Sequence, residues 1–223
     1  MRKNPLISGQ TYHVFTRSIA SFKIFNNENE FSRMLDVVCY YQREKPEIKF
    51  SKFIQLERES QLNKKEYFSD KENLVEIAAY CFMPTHIHLI LKQLKDNGIS
   101  VFMSNILNSY TRYFNTKHKR KGPLWEARFK SVLVESDEYL IHLTRYIHLN
   151  PATAMLVDKP ENWKFSSYQE YLSQTEENKI CKYSDMLNIL PHSYRSFVED
   201  RISYQQELAK IKDLLLEQAN PTA

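Results

Sequence analysis

The chain has 223 residues, 42% hydrophobic and 26% charged, which suits one sizeable soluble domain or one domain with a small appendage. Its formal net charge of +4 is mild but unevenly distributed, and its three cysteines, Cys39, Cys81 and Cys181, are too scattered for a disulfide framework or a CxxC zinc site. The N-terminus lacks an apolar signal core and no apolar run is long enough to span a bilayer, so a cytosolic protein is expected.

In chain order, Thr11-Tyr12-His13-Val14-Phe15-Thr16-Arg17 is rich in β-formers and partly alternating, and reads as a strand. His13 could join a metal site, although a half-buried sheet histidine is the plainer reading. Asn27 is placed to cap a helix, with Glu30 at the capping-box position. Phe31, Met34, Leu35, Val38 and Tyr41 follow at helical spacing, and Pro46 stops or redirects that helix. Residues 47–73 are the least clear. Phe50, Phe53, Ile54 and Leu56 suit either helix or strand, and the polar run after them reads as a solvated insertion.

A strand is expected from Leu74 to Phe82, then a tight turn at Met83-Pro84-Thr85, then a second strand beginning His86-Ile87-His88. Side chains alternate along a strand, so His86 and His88 share one sheet face, where two imidazoles form a natural metal pair. Ser100 is expected to cap a helix with Phe102, Met103, Ile106, Leu107, Tyr110 and Phe114 on its apolar face. The helix runs out into a cationic loop containing Lys117, Lys119, Arg120 and Lys121. Trp125, Arg128 and Lys130 follow it; basic residues interleaved with aromatics suit phosphate contact and base stacking, and equally plain solvation. A fourth strand covers Ser131 to Glu135. Ser136 or Asp137 then caps a helix that Asn150-Pro151 is expected to end. Tyr146 and Asn150, four apart, project from one side of it, with His142 one turn earlier.

This order gives a βαββαβ core, the split-βαβ, ferredoxin-like or RRM-like pattern of an α+β fold. Its antiparallel sheet would carry helices on one face and leave the other open. Beyond it, Trp163, Phe165, Tyr168 and Tyr171 are expected to wrap the core, with Ser166 or Ser167 capping a short helix. Pro191 starts a last helical stretch through Phe197, Val198, Ile202, Leu208, Ile211 and Leu215. The division expected is residues 1–172 as the core domain, with 47–73 inserted, and 173–223 as a helical extension.

Three strings carry a resemblance: Tyr80-Cys81-Phe82-Met83-Pro84-Thr85-His86-Ile87-His88-Leu89, Gly122-Pro123-Leu124-Trp125-Glu126-Ala127-Arg128-Phe129-Lys130 and Tyr146-Ile147-His148-Leu149-Asn150-Pro151. Tyr113-Phe114-Asn115 and Trp163-Lys164-Phe165-Ser166-Ser167-Tyr168 add to it. In order and spacing the chain resembles the HUH single-tyrosine transposases of the IS200-like family, and more closely their REP-associated branch, across roughly residues 8 to 172. The resemblance implies a metal-dependent single-stranded DNA endonuclease and strand transferase acting on hairpin-bearing DNA through a 5′-phosphotyrosine intermediate. It implies Tyr146 as nucleophile, and His86, His88 and Asn150 as ligands of Mg²⁺ or Mn²⁺. Thr85 departs from the Asn or Glu that many relatives carry beside the first histidine.

That chemistry is coherent with the residues. A neutral N/O donor set leaves a cation its full charge and open positions for phosphate oxygens, and a phenol is a nucleophile that can hold the bond energy covalently. DNA would be gripped by Lys117, Lys119, Arg120, Lys121, Arg128 and Lys130, with Trp125 stacking. The competing reading is a catalytically silent DNA-hairpin-binding protein derived from a transposase. An RRM-type RNA binder would want aromatics where the histidines stand, and a 2H phosphoesterase would need two HxT or HxS motifs. Monomer and homodimer are both open.

Overall fold

Four strands form one antiparallel sheet in the order β2-β3-β1-β4: β1 (Thr11–Arg17), β2 (Val75–Met83), β3 (His86–Gln93) and β4 (Lys130–Leu133). The computed structural model describes residues 5–44, 46–59, 63–173, 179–187 and 189–202. The helices are α1 (Glu28–Tyr41), α2 (Phe50–Arg58), α3 (Lys64–Tyr67), α4 (Gly98–Lys117), α5 (Asp137–Thr153), α6 (Tyr168–Leu172) and α7 (Pro191–Glu199). The expected α+β architecture, with an antiparallel sheet in βαββαβ order and helices following it, is observed.

The two sheet faces bury different partners. Val14, Ile87, Leu89 and Leu91 point to the face covered by α1 and α4, whose Met34, Val38, Phe102, Ile106 and Tyr110 complete the larger core. Cys81, Met83 and Ile90 point the other way, against Leu140, Leu143 and Ile147 of α5 and against Tyr168, Tyr171 and Tyr194. This corrects the expectation of an open second face. Helix α5 and the segments after it cover the β2 half, and the face is open toward β4, where Lys130 and Val132 are exposed. Burial on both sides also explains why β2 does not alternate. Its register shifts between Ile77 and Ala79, and Ala78 and Ala79 are both buried.

Three local expectations shift. Helix α4 begins at Gly98, with Asn97 in the left-handed region (φ 60°) as its cap, rather than at Ser100. A Cβ at Gly98 would lie 2.4 Å from the Leu74 carbonyl oxygen, so only glycine fits the strand–helix approach. Helix α5 runs through Pro151 to Thr153 instead of stopping at Asn150, because Pro151 and Ala152 are buried and packing outweighs the lost N–H. Residues 47–73 are anchored at their start: Phe50 and Phe53 of α2 sit 5.1 and 4.8 Å from the Tyr40 ring in the larger core.

The segment after α5 is tied in closely. Phe165 stacks on Phe31 at 4.4 Å, and the Trp163 indole donates to the Phe82 carbonyl at 3.0 Å. Ser167 flanks α6 without capping it by its side chain. Its hydroxyl instead meets His148 Nε2 at 2.7 Å, while His148 Nδ1 meets the Tyr194 hydroxyl of α7, also at 2.7 Å. His148 is therefore a buried pin joining α5, the Ser167 turn and α7. Leu208, Ile211 and Leu215 lie outside the described residues. Cys39, Cys81 and Cys181 form no disulfide, and no described helix is long and apolar enough to cross a membrane.

Glu30 locks α1 to α4. Asn27 caps α1 by accepting from the Glu30 N–H at 3.3 Å, and the fully buried Glu30 carboxylate accepts from the Asn26 N–H at 2.7 Å. Lys117 and His118 reach the same carboxylate at 2.8 and 2.6 Å. Burial alone would raise the Glu30 pKa; the hydrogen bonds from Lys117, Asn26 and His118 outweigh it and hold it at about 2. A depressed carboxylate stabilises the fold above its unfolded pKa and loses that contribution as pH falls through its folded one. Glu30→Gln is expected to cost about 3 kcal/mol near neutral pH. In urea unfolding the gap to wild type should narrow steadily as pH falls from 5 toward 2; a gap independent of pH would contradict this ion-pair hub.

Candidate active site

The site is assembled by strand alternation and strand register. His86 and His88 share a face of β3, with ring centroids 5.1 Å apart and planes at 87°. β1 lies antiparallel beside them, so Phe15 pairs with His88 and Arg17 with His86. His13, two residues along β1, places its Nε2 2.9 Å from His88 Nδ1, with the rings stacked at 5.2 Å. Phe15 packs on both, 4.8 Å from His13 and 5.9 Å from His88. On the first histidine, Thr85 Oγ1 lies 3.0 Å from His86 Nδ1.

Burial makes these imidazoles neutral. His88 is pushed down to about 3, by desolvation first and then by His86 and His13. Desolvation lowers His13 to about 4, and lowers His86 as well, with Arg17 adding to the latter effect. With neutral rings, one of the two facing nitrogens of His13 and His88 must donate and the other accept. If His88 Nδ1 donates, its Nε2 carries a lone pair for another partner. The same contact removes His13 as a co-ligand through that nitrogen and makes it a support for His88. The sequence points no further than a half-buried sheet histidine here, because the role of His13 depends on the register that places β1 against β3.

Helix α5 lays the other half of the site over β3. The Tyr146 ring stands 6.0 Å from that of His88, edge to face at 88°, and the residue is 49% exposed. Asn150 lies one turn further. Its side-chain Nδ2 is buried without a partner. Amide oxygen and nitrogen can exchange places by a flip, so the orphaned position equally suits an oxygen donor. Two neutral imidazoles and an amide with an unsatisfied buried atom fit a divalent cation. Among the described residues, no three His, Cys, Asp or Glu side chains converge as a metal group. His142 is exposed, with Nδ1 accepting from Arg145 at 2.9 Å, and His148 is a structural pin.

The basic residues do not form one patch. Lys130 pairs with Phe15 across the sheet and stands on the histidine face. Arg128 and Phe129 line a cleft of about 1390 Å³ along the Ser104–Asn108 side of α4. Lys117 turns toward α1 and is held by Glu30. Arg120 donates to Asn115 Oδ1 and to the Gly122 and Pro123 carbonyls, ordering the loop from within. The Trp125 indole N–H is occupied by the Leu107 carbonyl and Thr111 Oγ1. Lys119 and Lys121 are exposed. Arg17 forms an ion pair with Glu126 at the rim beside His86, a pairing that the sequence did not reveal.

Residues 50–150 match the family described as transposase IS200 like. A protein of Haemophilus influenzae (strain ATCC 51907 / DSM 11121 / KW20 / Rd), whose name assigns it to the REP-associated tyrosine transposases, is 26% identical over 103 residues. That match takes in 42% of this chain and 58% of the relative, so the chain spans little more than half the length of that relative. A solved structure of a REP-associated tyrosine transposase bound to a REP hairpin aligns with a TM-score of 0.50 at 16% identity, covering 85% of this chain and 98% of that one. At that identity the likeness is one of fold.

The burial of the imidazoles is directly testable. Their lowered values mean that the unfolded chain takes up protons between about pH 6.5 and 4 that the folded one refuses, so stability falls as pH drops through that window. Nitrogen-15 chemical shifts should report His13, His88 and His148 as neutral at about pH 5.5, well below the usual histidine pKa. An imidazolium signal from any of the three at that pH would contradict the buried arrangement.

Proposed function

We propose, from the IS200-like transposase match of residues 50–150, that this chain is a nicking and strand-transfer enzyme acting on hairpin-bearing single-stranded DNA. The observation that carries the reading is the half-exposed Tyr146 phenol set edge-on against the buried His88, with the unsatisfied Asn150 amide one helical turn away. A purely structural tyrosine has no need to stand half-exposed against a buried, neutral imidazole. The hairpin in the solved relative supports hairpin DNA as the substrate class.

Tyr146 is the nucleophile. Its phenolic oxygen attacks the scissile phosphorus as the phenol proton leaves. The bond from phosphorus to the 3′ oxygen breaks, and that oxygen takes a proton and departs as a free 3′-OH. The product is a 5′-phosphotyrosine, which keeps the phosphodiester bond energy for rejoining to another 3′ end. His86, His88 and Asn150 would hold Mg²⁺ or Mn²⁺; when bound, the ion supplies charge stabilisation at the phosphate oxygens and a template for in-line geometry. His13 fixes the ring plane and tautomer of His88 through the 2.9 Å contact. Mounting Tyr146 and Asn150 on one helix fixes the attacking oxygen relative to the amide. Lys130, level with Phe15 and His88, is placed to meet the backbone as it enters.

A labelled hairpin-bearing single-stranded DNA incubated with Mn²⁺ is expected to give an SDS-resistant protein–DNA adduct that disappears in Tyr146→Phe. Asn150→Ala should reduce adduct formation by about tenfold or more. DNA binding with no adduct under any metal would favour the competing reading, a hairpin-binding protein without nicking activity. Calorimetry gives a readout independent of activity. His13→Phe should weaken Mn²⁺ binding about 10–100-fold, and His13→Gln, which can still accept from His88 Nδ1, should recover much of the loss. Equal Mn²⁺ affinity in wild type and His13→Phe would remove His13 from the site.

A further inference from the structure

A second cationic cleft lies on the far side of the molecule. Helices α1 and α4 cover the sheet face opposite to His86, His88 and Tyr146, and their outer surface, with the start of α2, encloses a cleft of about 530 Å³. Arg33, Lys49, Arg112 and Lys117 all line it. Among its described lining residues there is no carboxylate; hydroxyls such as those of Ser109 and Thr116 complete the wall. Its volume falls within the span of about 300–1,000 Å³ typical of ligand pockets.

Arg33 is the unusual member. Its guanidinium carbon lies 4.3 Å from the centroid of the Phe50 ring and 5.0 Å from that of Tyr113, so the group is held in place by aromatic faces. Its Nε is buried and has no hydrogen-bond partner. A buried donor left unsatisfied is costly, and more so when it is charged. Asp36, on the same helix, acts on Arg33 through its charge, while Arg58 opposes it. Lys117 is already engaged by Glu30. What remains is an excess of positive charge around a rigid guanidinium, with exposed Lys49 and Arg112 at the mouth. A planar guanidinium of this kind matches phosphoryl oxygens in a bidentate fashion.

We infer that this cleft is a binding site for phosphoryl groups, taken up as consecutive phosphates of a nucleic-acid backbone at a position remote from Tyr146. The inference rests on the nucleic-acid reading given above. It supplies a function for a cationic surface that the nicking chemistry does not use, and it gives the DNA a second point of attachment that does not compete with the scissile phosphate.

The test uses the full chain and the double variant Arg33→Met/Arg112→Gln. Methionine keeps the packing over Phe50, and thermal melting checks that the variant folds. Binding of a labelled hairpin-bearing DNA, followed by anisotropy across a series of salt concentrations, should weaken about tenfold or more. The slope of log affinity against log salt should become shallower by about one to two units, one for each phosphate no longer neutralised. Adduct formation through Tyr146 at saturating DNA should be retained. A second arm measures inorganic pyrophosphate binding by calorimetry. If pyrophosphate binds wild type but not the variant while DNA binding is equal, the phosphoryl site stands and its source is a free phosphate compound. If neither DNA nor pyrophosphate distinguishes the two proteins, the inference is overturned. Failure of wild type to bind any DNA would sink the nucleic-acid reading, while the pyrophosphate arm would still decide the cleft.

Discussion

β1 lies antiparallel between β3 and β4, and its register against β3 is the constraint on which the site depends. Phe15 opposite His88 and Arg17 opposite His86 put His13, Phe15 and Arg17 on the same face as the two histidines. A slip of one residue would send all three to the α1/α4 face and bring Val14 and Tyr12 toward solvent. The larger core forbids this, because Val14 is fully buried there among Leu89, Ile106 and Tyr110. The geometry of the imidazoles is thus enforced by apolar burial on the opposite side of the sheet.

Helix α5 has to be positioned as accurately as the strands, since it carries Tyr146 and Asn150. Three devices hold it. Leu140, Leu143 and Ile147 pack on Cys81, Met83 and Ile90. His148, between the two site residues, is fixed at both ring nitrogens by Ser167 and Tyr194. Ser167 also accepts from the Tyr80 N–H on β2, so the network reaches the neighbour of the histidine strand. Side chains of α5 therefore divide the work by helical phase. Ile147 and His148 anchor the helix, and Tyr146 faces His88. Loss of the His148 network would therefore shift Tyr146 together with the helix that carries it.

Much of this was legible in the sequence because it follows from short-range periodicity. The two-residue period of the His86-Ile87-His88 strand puts both imidazoles on one face, and the four-residue spacing of Tyr146 and Asn150 puts them on one side of a helix. What was not legible depended on contacts between distant segments. The role of His13 needs the β1–β3 register. The covering of the second sheet face by α5 and α7 needs the docking of residues that follow Pro151, and Pro151 itself suggested a helix end that tertiary packing overrode. The start of α4 was displaced for a similar reason: the approach of Gly98 to the Leu74 carbonyl decides it, and a serine cap motif in sequence cannot compete with a backbone contact of that kind.

The basic residues show most clearly why composition underdetermines function. Lys117, Lys119, Arg120, Lys121, Arg128 and Lys130 are neighbours in sequence and read as one cationic surface. In the fold, the end of α4 and the loop after it separate them. Lys117 turns back onto buried Glu30, Arg120 is consumed in ordering its own loop, and Lys130 joins the histidine face. Conversely, Arg33, Lys49 and Arg112 are far apart in sequence and form no motif there, yet α1, α2 and α4 bring them to one cleft. A charged side chain can meet a phosphate only if no carboxylate or carbonyl of its own chain has claimed it. By that criterion the unsatisfied Arg33 Nε and the exposed Lys130 weigh more than the number of lysines and arginines in the loop.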